Sequence, residues 1–196
     1  METLEDLQRE IRNCRRCLEH GFPVQPGTVV SGPATARIMV VGQAPSMPSA
    51  SAGRPFSGRG GRTLFRWLAE AGWDQETFRA TQYFTAVTKC FPGRTPDGRG
   101  DRVPTSLERE LCRPFLEREL ALLHPALVVT LGRVAAEWFL GEVRLDDVVG
   151  EVWQDAEGRP VLPLPHPSGR NRWLNDPANR ERLRQALAHL RRLSPP

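Results

Sequence analysis

Apolar residues gather in four short runs along this 196-residue chain, with stretches of helical spacing between them. The first run, "RIMVVG" from Arg37 to Gly42, is continuous and stopped by glycine, the pattern of a parallel strand buried on both faces. "TQYFTAVTKC" (Thr81 to Cys90) is rich in β-branched and aromatic residues and predicts a second strand. "ALVVTLG" (Ala126 to Gly132) predicts a third, and "PVLPLPHPSG" a short fourth that ends in a Pro/Gly loop. Helical spacing appears first at Leu4, Leu7 and Ile11, over Leu4 to Arg12. "RTLFRWLAEAG" repeats it at Leu64, Trp67 and Leu68, with Gly72 as the stop. Thr105 and Glu108 form a capping box for "LERELCRPFLERELALL", where Pro114 predicts a kink or a boundary. "RVAAEWFLG" supplies another helix, and Arg180 to Leu193 closes the chain as an amphipathic one.

Strands alternating with helices predict an α/β fold: a three-layer α/β/α sandwich around a central, mainly parallel four-stranded sheet. The length suits one domain over residues 1–196. Ligands of such sheets bind beyond the carboxyl ends of the strands, where three loops converge. They are "VVGQAPSMPSASAGRPFSGRGG" (Val40 to Gly61), the segment after Cys90, and "HPSGRNRW". The first is dense in Gly, Pro and Ser, yet it lacks both the Gly-Lys-Ser/Thr ending of a P-loop and the close glycines of a dinucleotide turn.

Charge adds little on its own. The net charge is +4, and Lys89 is the only lysine among many arginines. Arginine suits bidentate phosphate contacts, but a GC-rich genome produces the same bias. No apolar run reaches the ~20 residues of a membrane helix, and "METLEDLQREIRNC" is charged and amphipathic, so a cytoplasmic protein is expected. A monomer is the expected state.

The four cysteines are Cys14 and Cys17 in "CRRC", Cys90 in "KCFPG" and Cys112 in "LCRPF". A Cys-x-x-Cys pair presents two thiolates to one metal centre, and two single cysteines complete a four-thiolate shell. Spacing leaves Zn²⁺ and an iron–sulfur cluster both open.

"CRRC", "GQAP" followed by "GRPFSGRGG", "YFTAVTKC", "CRPFLERELALLHPALVVTLG" and "LPHPSG" together span almost the whole chain. In that order they resemble the uracil-DNA glycosylase superfamily, most closely its iron–sulfur (family 4 type) branch. The resemblance implies a structural [4Fe–4S] cluster on Cys14, Cys17, Cys90 and Cys112, with zinc as the alternative. It implies a flipped base in a pocket at the strand ends, with Phe56 stacked on the ring and His166 donating a hydrogen bond to uracil O2. Gly42, Ala44, Thr85, Ala86 and Ser168 fall at the substrate-binding positions. The partner implied is DNA containing uracil or another deaminated base. Arg59, Arg170, Asn171 and Arg172 are expected to contact DNA, and Trp173 either wedges into the base stack or packs the core.

Two departures bear on chemistry. Gln43 stands where relatives carry a Glu that positions water, so Gln43 is the candidate for orienting it. Ala86 stands where relatives carry an Asn that reads the uracil edge, which leaves backbone amides of the first loop, Thr85 or the Cys90–Cys112 insert to take over. The expected activity is base excision by hydrolysis of the N-glycosidic bond. The alternative is a DNA-binding, damage-sensing member that has lost catalysis. A cross-linking relative that attacks through a histidine is disfavoured, because "FPGRTPDGRGDRVP" contains none.

Overall fold

The computed structural model describes residues 2–26, 30–169 and 171–194. The chain opens with α1 (Leu4–Asn13) and α2 (Arg16–Glu19), then enters the sheet through β1 (Ile38–Gly42). Three helices, α3 (Met47–Ala52), α4 (Arg59–Glu70) and α5 (Gln75–Thr81), lead to β2 (Tyr83–Ala86). A long helix, α6 (Ser106–Leu123), precedes β3 (Leu127–Leu131), and α7 (Arg133–Leu140) and α8 (Leu145–Val148) follow it. The hairpin of β4 (Trp153–Gln154) and β5 (Pro160–Leu164) then leads to the closing helix, α9 (Pro177–Leu193).

The strands lie in the order β2-β1-β3-β5-β4, all parallel except β4. The expected sandwich is present with one strand more than its pattern predicts. β4 is two exposed residues at the edge, too short to carry a period. Alternate strand residues feed two cores. Ile38, Val40, Phe84, Val129 and Leu162 face α4, α5 and α9. Met39, Val41, Tyr83, Val128 and Val161 face α1, α6 and α7.

Other boundaries moved for local reasons. The predicted second strand shrinks to Tyr83–Ala86, because α5 takes the chain to Thr81 and the ladder ends at Gly42↔Ala86. The opening loop contains α3, capped at its end by Gly53 in the left-handed region. α6 runs through Pro114 without a break, with Cys112, Phe115 and Leu116 buried on either side of it, so tertiary packing outweighs the lost hydrogen bond. Among the described residues no helix is long and apolar enough to cross a membrane.

The end of β2 is fixed by a buried ion pair. Lys89 and Glu119 meet at 2.7 Å with side chains 1% and 0% exposed. Lys89 Nζ also donates to Thr85 Oγ1 and to the Ala86 carbonyl, each at 2.7 Å, which uses all three of its protons. Glu119 accepts from Tyr83 Oη and Thr85 Oγ1 as well. Breaking such a pair from one side strands a charge in the core. Glu119→Gln is therefore expected to cost about 3–5 kcal/mol in denaturant unfolding. The double variant Lys89→Met/Glu119→Leu should recover much of that loss.

Candidate active site

β1 has β2 on one side and β3 on the other, so the chain reverses its direction of travel at their carboxyl ends and opens a crevice there. A cavity of about 280 Å³ fills it. That is close to the lower end of the roughly 300–1,000 Å³ usual for small-molecule pockets. Gly42, Ala44, Phe56, Arg59, Thr85, Ala86, His166 and Ser168 all line it, as does one residue without a predicted role, Asp101.

Phe56 reaches the cavity through a strained backbone, with φ +53, a conformation costing about 1–3 kcal/mol in a residue that is not glycine. Arg79 holds it by donating to the Pro55 carbonyl at 2.9 Å and the Phe56 carbonyl at 3.2 Å. Its guanidinium lies over the Phe65 ring, and burial lowers its pKa to about 10. A Cβ on Gly61 would lie 1.7 Å from the Phe56 carbonyl oxygen, so only glycine fits there. The Phe56 ring leans on Phe84, with centroids 5.8 Å apart, and passes over Gly42.

His166 follows β5. Its Nδ1 accepts from the Ser168 backbone N–H at 3.2 Å, which leaves the proton of the neutral ring on Nε2. Gly132, at φ +84, clears its other side, since a Cβ there would lie 3.0 Å from His166 Cβ. His166 lines the cavity and keeps some solvent exposure, yet protein surrounds it closely enough for burial to lower its pKa, with the Asp101 charge opposing.

Not every expected site residue lies on the cavity wall. Gln43 does not line the cavity, although Gly42 and Ala44 on either side do. The chain bends at Gln43 just past the end of β1, and its carbonyl accepts from the Thr88 N–H at 3.2 Å. Thr85 does line the cavity, but its hydroxyl is engaged with Glu119 and Lys89 behind the strand. Asn171 is a brace, donating to the His166 carbonyl and accepting from the Trp173 N–H. Trp173 packs into the fold, its indole donating to Asp146 at 2.6 Å, and does not stand out as a wedge. Arg59 and Arg172 are exposed and make no ion pair among the described residues. Arg170 lies outside the described residues.

Asp101 has no predicted role because it sits in a basic insert. Residues 93–102 fold back as a small hairpin, with Arg102 N–H donating to the Gly93 carbonyl and Arg94 bridging to Asp101. The paired Arg102 and Glu108, at 2.6 Å through both nitrogens, pin its base to α6. The sequence signal was an acid between Gly100 and Arg102 in a loop already placed at the strand ends.

Cys14, Cys17, Cys90 and Cys112 line one narrow gap of about 10 Å³ beside β2, with Leu18, Val24 and Phe115 around them. Burial raises the Cys17 thiol to about 11 and the Cys90 thiol to about 12, the neighbouring thiols adding to both shifts. The Lys89 backbone N–H points at Cys112 Sγ, 3.3 Å away. The donor set is wholly thiol, which fits a soft metal centre. Among the described residues, no three His, Cys, Asp or Glu side chains close around a single-ion point.

With this fold and pocket in place, the class is an α/β protein with a ligand-sized cavity at the carboxyl ends of its parallel strands. Residues 29–191 match the family model of the Uracil DNA glycosylase superfamily, and the chain belongs to that family. A type-4 uracil-DNA glycosylase of Archaeoglobus fulgidus is 37% identical over 140 residues, which are 70% of this chain and 64% of that protein. One from Thermotoga maritima is 30% identical over 85% of this chain and 82% of its own length. One from Sulfurisphaera tokodaii is 28% identical over 99% of this chain and 86% of its own.

The lowered pKa of His166 has a testable sign. Burial favours the neutral ring, so His166 should titrate below 6.5 when its ring protons are followed by NMR. Removing the opposing charge with Asp101→Asn should lower it further. The stability the neutral ring contributes is present above pH 6.5 and lost as pH falls through the folded value.

Proposed function

We propose that the protein is a uracil-DNA glycosylase, which hydrolyses the N-glycosidic bond of uracil in DNA and leaves an abasic site. The observation that carries this is His166 in the wall of a base-sized cavity that Phe56 also lines, with its Nδ1 held by the Ser168 N–H so that the neutral ring carries its proton on Nε2. The deep wall, at Gly42, Thr85 and Ala86, is buried, while Arg59 and His166 stand at the mouth. A flipped nucleotide therefore enters with the far edge of its base toward the strand ends and its sugar at the rim.

As the glycosidic bond breaks, its electron pair passes to the uracil, and negative charge gathers at O2. A neutral imidazole aimed at O2 stabilises that charge without supplying a proton. One such donor contributes about 3–4 kcal/mol. Ala86 offers no side-chain amide, and the Thr85 hydroxyl is engaged elsewhere. Reading of the base edge then falls to main-chain groups of the loop after β1. Arg59 at the N-terminus of α4 and exposed Arg172 are the phosphate contacts, the helix end adding its own positive potential.

Cys14, Cys17, Cys90 and Cys112 are the ligands of a [4Fe–4S] cluster in this reading. The all-thiol wall supports it, as does the backbone N–H directed at Cys112 Sγ. Bound there, the cluster would cross-link α1, α2, the turn after β2 and α6. Purified protein should be brown and contain iron and sulfide, and Cys17→Ser should lose both; zinc without iron would contradict this reading.

The activity is tested with uracil-, hypoxanthine- and xanthine-containing oligonucleotides, single- and double-stranded, followed by cleavage of abasic sites. Strand breaks at uracil are expected, and His166→Ala should slow them about 100- to 1,000-fold. Intact strands on every substrate, from protein with a full cluster, would contradict the proposal.

A further inference from the structure

Resting on that reading, we propose that Asp101 is the carboxylate that positions and deprotonates the attacking water. Water attack needs a group at the sugar end of the pocket that accepts a proton. Gln43 carries no charge and lies off the cavity wall. Among the cavity-lining residues, Asp101 is the one with a carboxylate.

Its position suits the task in three ways. Its side chain is 32% exposed, so it belongs to the wet mouth of the pocket rather than to the buried wall at Thr85 and Ala86. The mouth is where the sugar must lie, because the base fills the interior. Asp101 is also close enough to His166 for its charge to act on the ring, and His166 faces O2, next to the glycosidic nitrogen. The carboxylate and the imidazole thus flank the bond that breaks. Finally, the hairpin holds the carboxylate in place: Arg94 lies 3.6 Å from it, and the Arg102–Glu108 pair anchors the following residue.

The chemistry balances without a further reactant. The C1′–N1 bond breaks and its electron pair leaves with the uracil, so the sugar becomes an oxocarbenium ion. The Asp101 negative charge stabilises that cation across the rim. Water adds through oxygen to C1′, and its proton passes to the Asp101 carboxylate, which then releases it to solvent. The uracil anion takes its proton from solvent. His166 and Asp101 divide the work, one at the departing charge and the other at the incoming oxygen.

The test is single-turnover release of uracil by wild type, Asp101→Asn and Asp97→Asn, with affinity for abasic-site DNA measured in parallel. Asp97 shares the hairpin but lies outside the cavity wall, so its variant controls for damage to the loop. General-base catalysis is typically worth about 100-fold or more. Asp101→Asn is expected to lose that much rate, to bind abasic-site DNA within about threefold of wild type, and to melt at the same temperature, with Asp97→Asn keeping the wild-type rate. An Asp101→Asn rate near wild type would overturn the assignment while leaving the glycosylase reading intact. Equal losses in both variants would also overturn it, in favour of a role for the hairpin's shape. A wild-type protein that releases no base would overturn the function itself, and this inference with it.

Discussion

The buried pair of Lys89 and Glu119 is the constraint on which both ends of this molecule depend. It draws one charge from the turn after β2 and the other from the middle of α6, and both are closed off from water. A charge pair at that depth persists only if every donor and acceptor is met, and here Thr85, Tyr83 and the Ala86 carbonyl complete it. The same turn carries Cys90, and the same helix carries Cys112. Lys89 therefore sets the cavity wall through its side chain and touches the thiol cluster through its backbone N–H. A disturbance on either side reaches the other through this one residue.

Strain and space are managed at the cavity by a few particular positions. Phe56 takes a backbone conformation that its Cβ disfavours, and Arg79 and Gly61 hold it there. His166 has its tautomer set by one backbone N–H and its seat cleared by Gly132. These groups stand in place before any ligand arrives. That order suits a reaction in which charge must be met as it forms, because no reorganisation is needed at that moment.

The layers, the parallel strands and the place of the cavity could all be read in the sequence, because buried runs and capping signals are local. Leu4, Leu7 and Ile11 predict α1, and the Thr105–Glu108 box starts α6 where it is found. β4 could not be read, since two exposed edge residues have no period. Phe56 and His166 follow from the order of the motifs, and both line the cavity. Gln43, the candidate for orienting water, lies off the cavity wall between two residues that line it, a turn of the chain that no sequence pattern announces. Asp101 comes from an insert whose fold depends on a hairpin and on Arg102 reaching Glu108, a contact that no local pattern announces.

The central claim is that a flipped base sits between Phe56 and His166 at the ends of the parallel strands. A structure of the protein with duplex DNA carrying 2′-fluoro-2′-deoxyuridine, whose glycosidic bond resists cleavage, tests it most directly. The account predicts the uracil ring against Phe56, O2 within hydrogen-bond distance of His166 Nε2, and the sugar facing Asp101. A uracil still stacked in the duplex, or lodged away from His166, would contradict it.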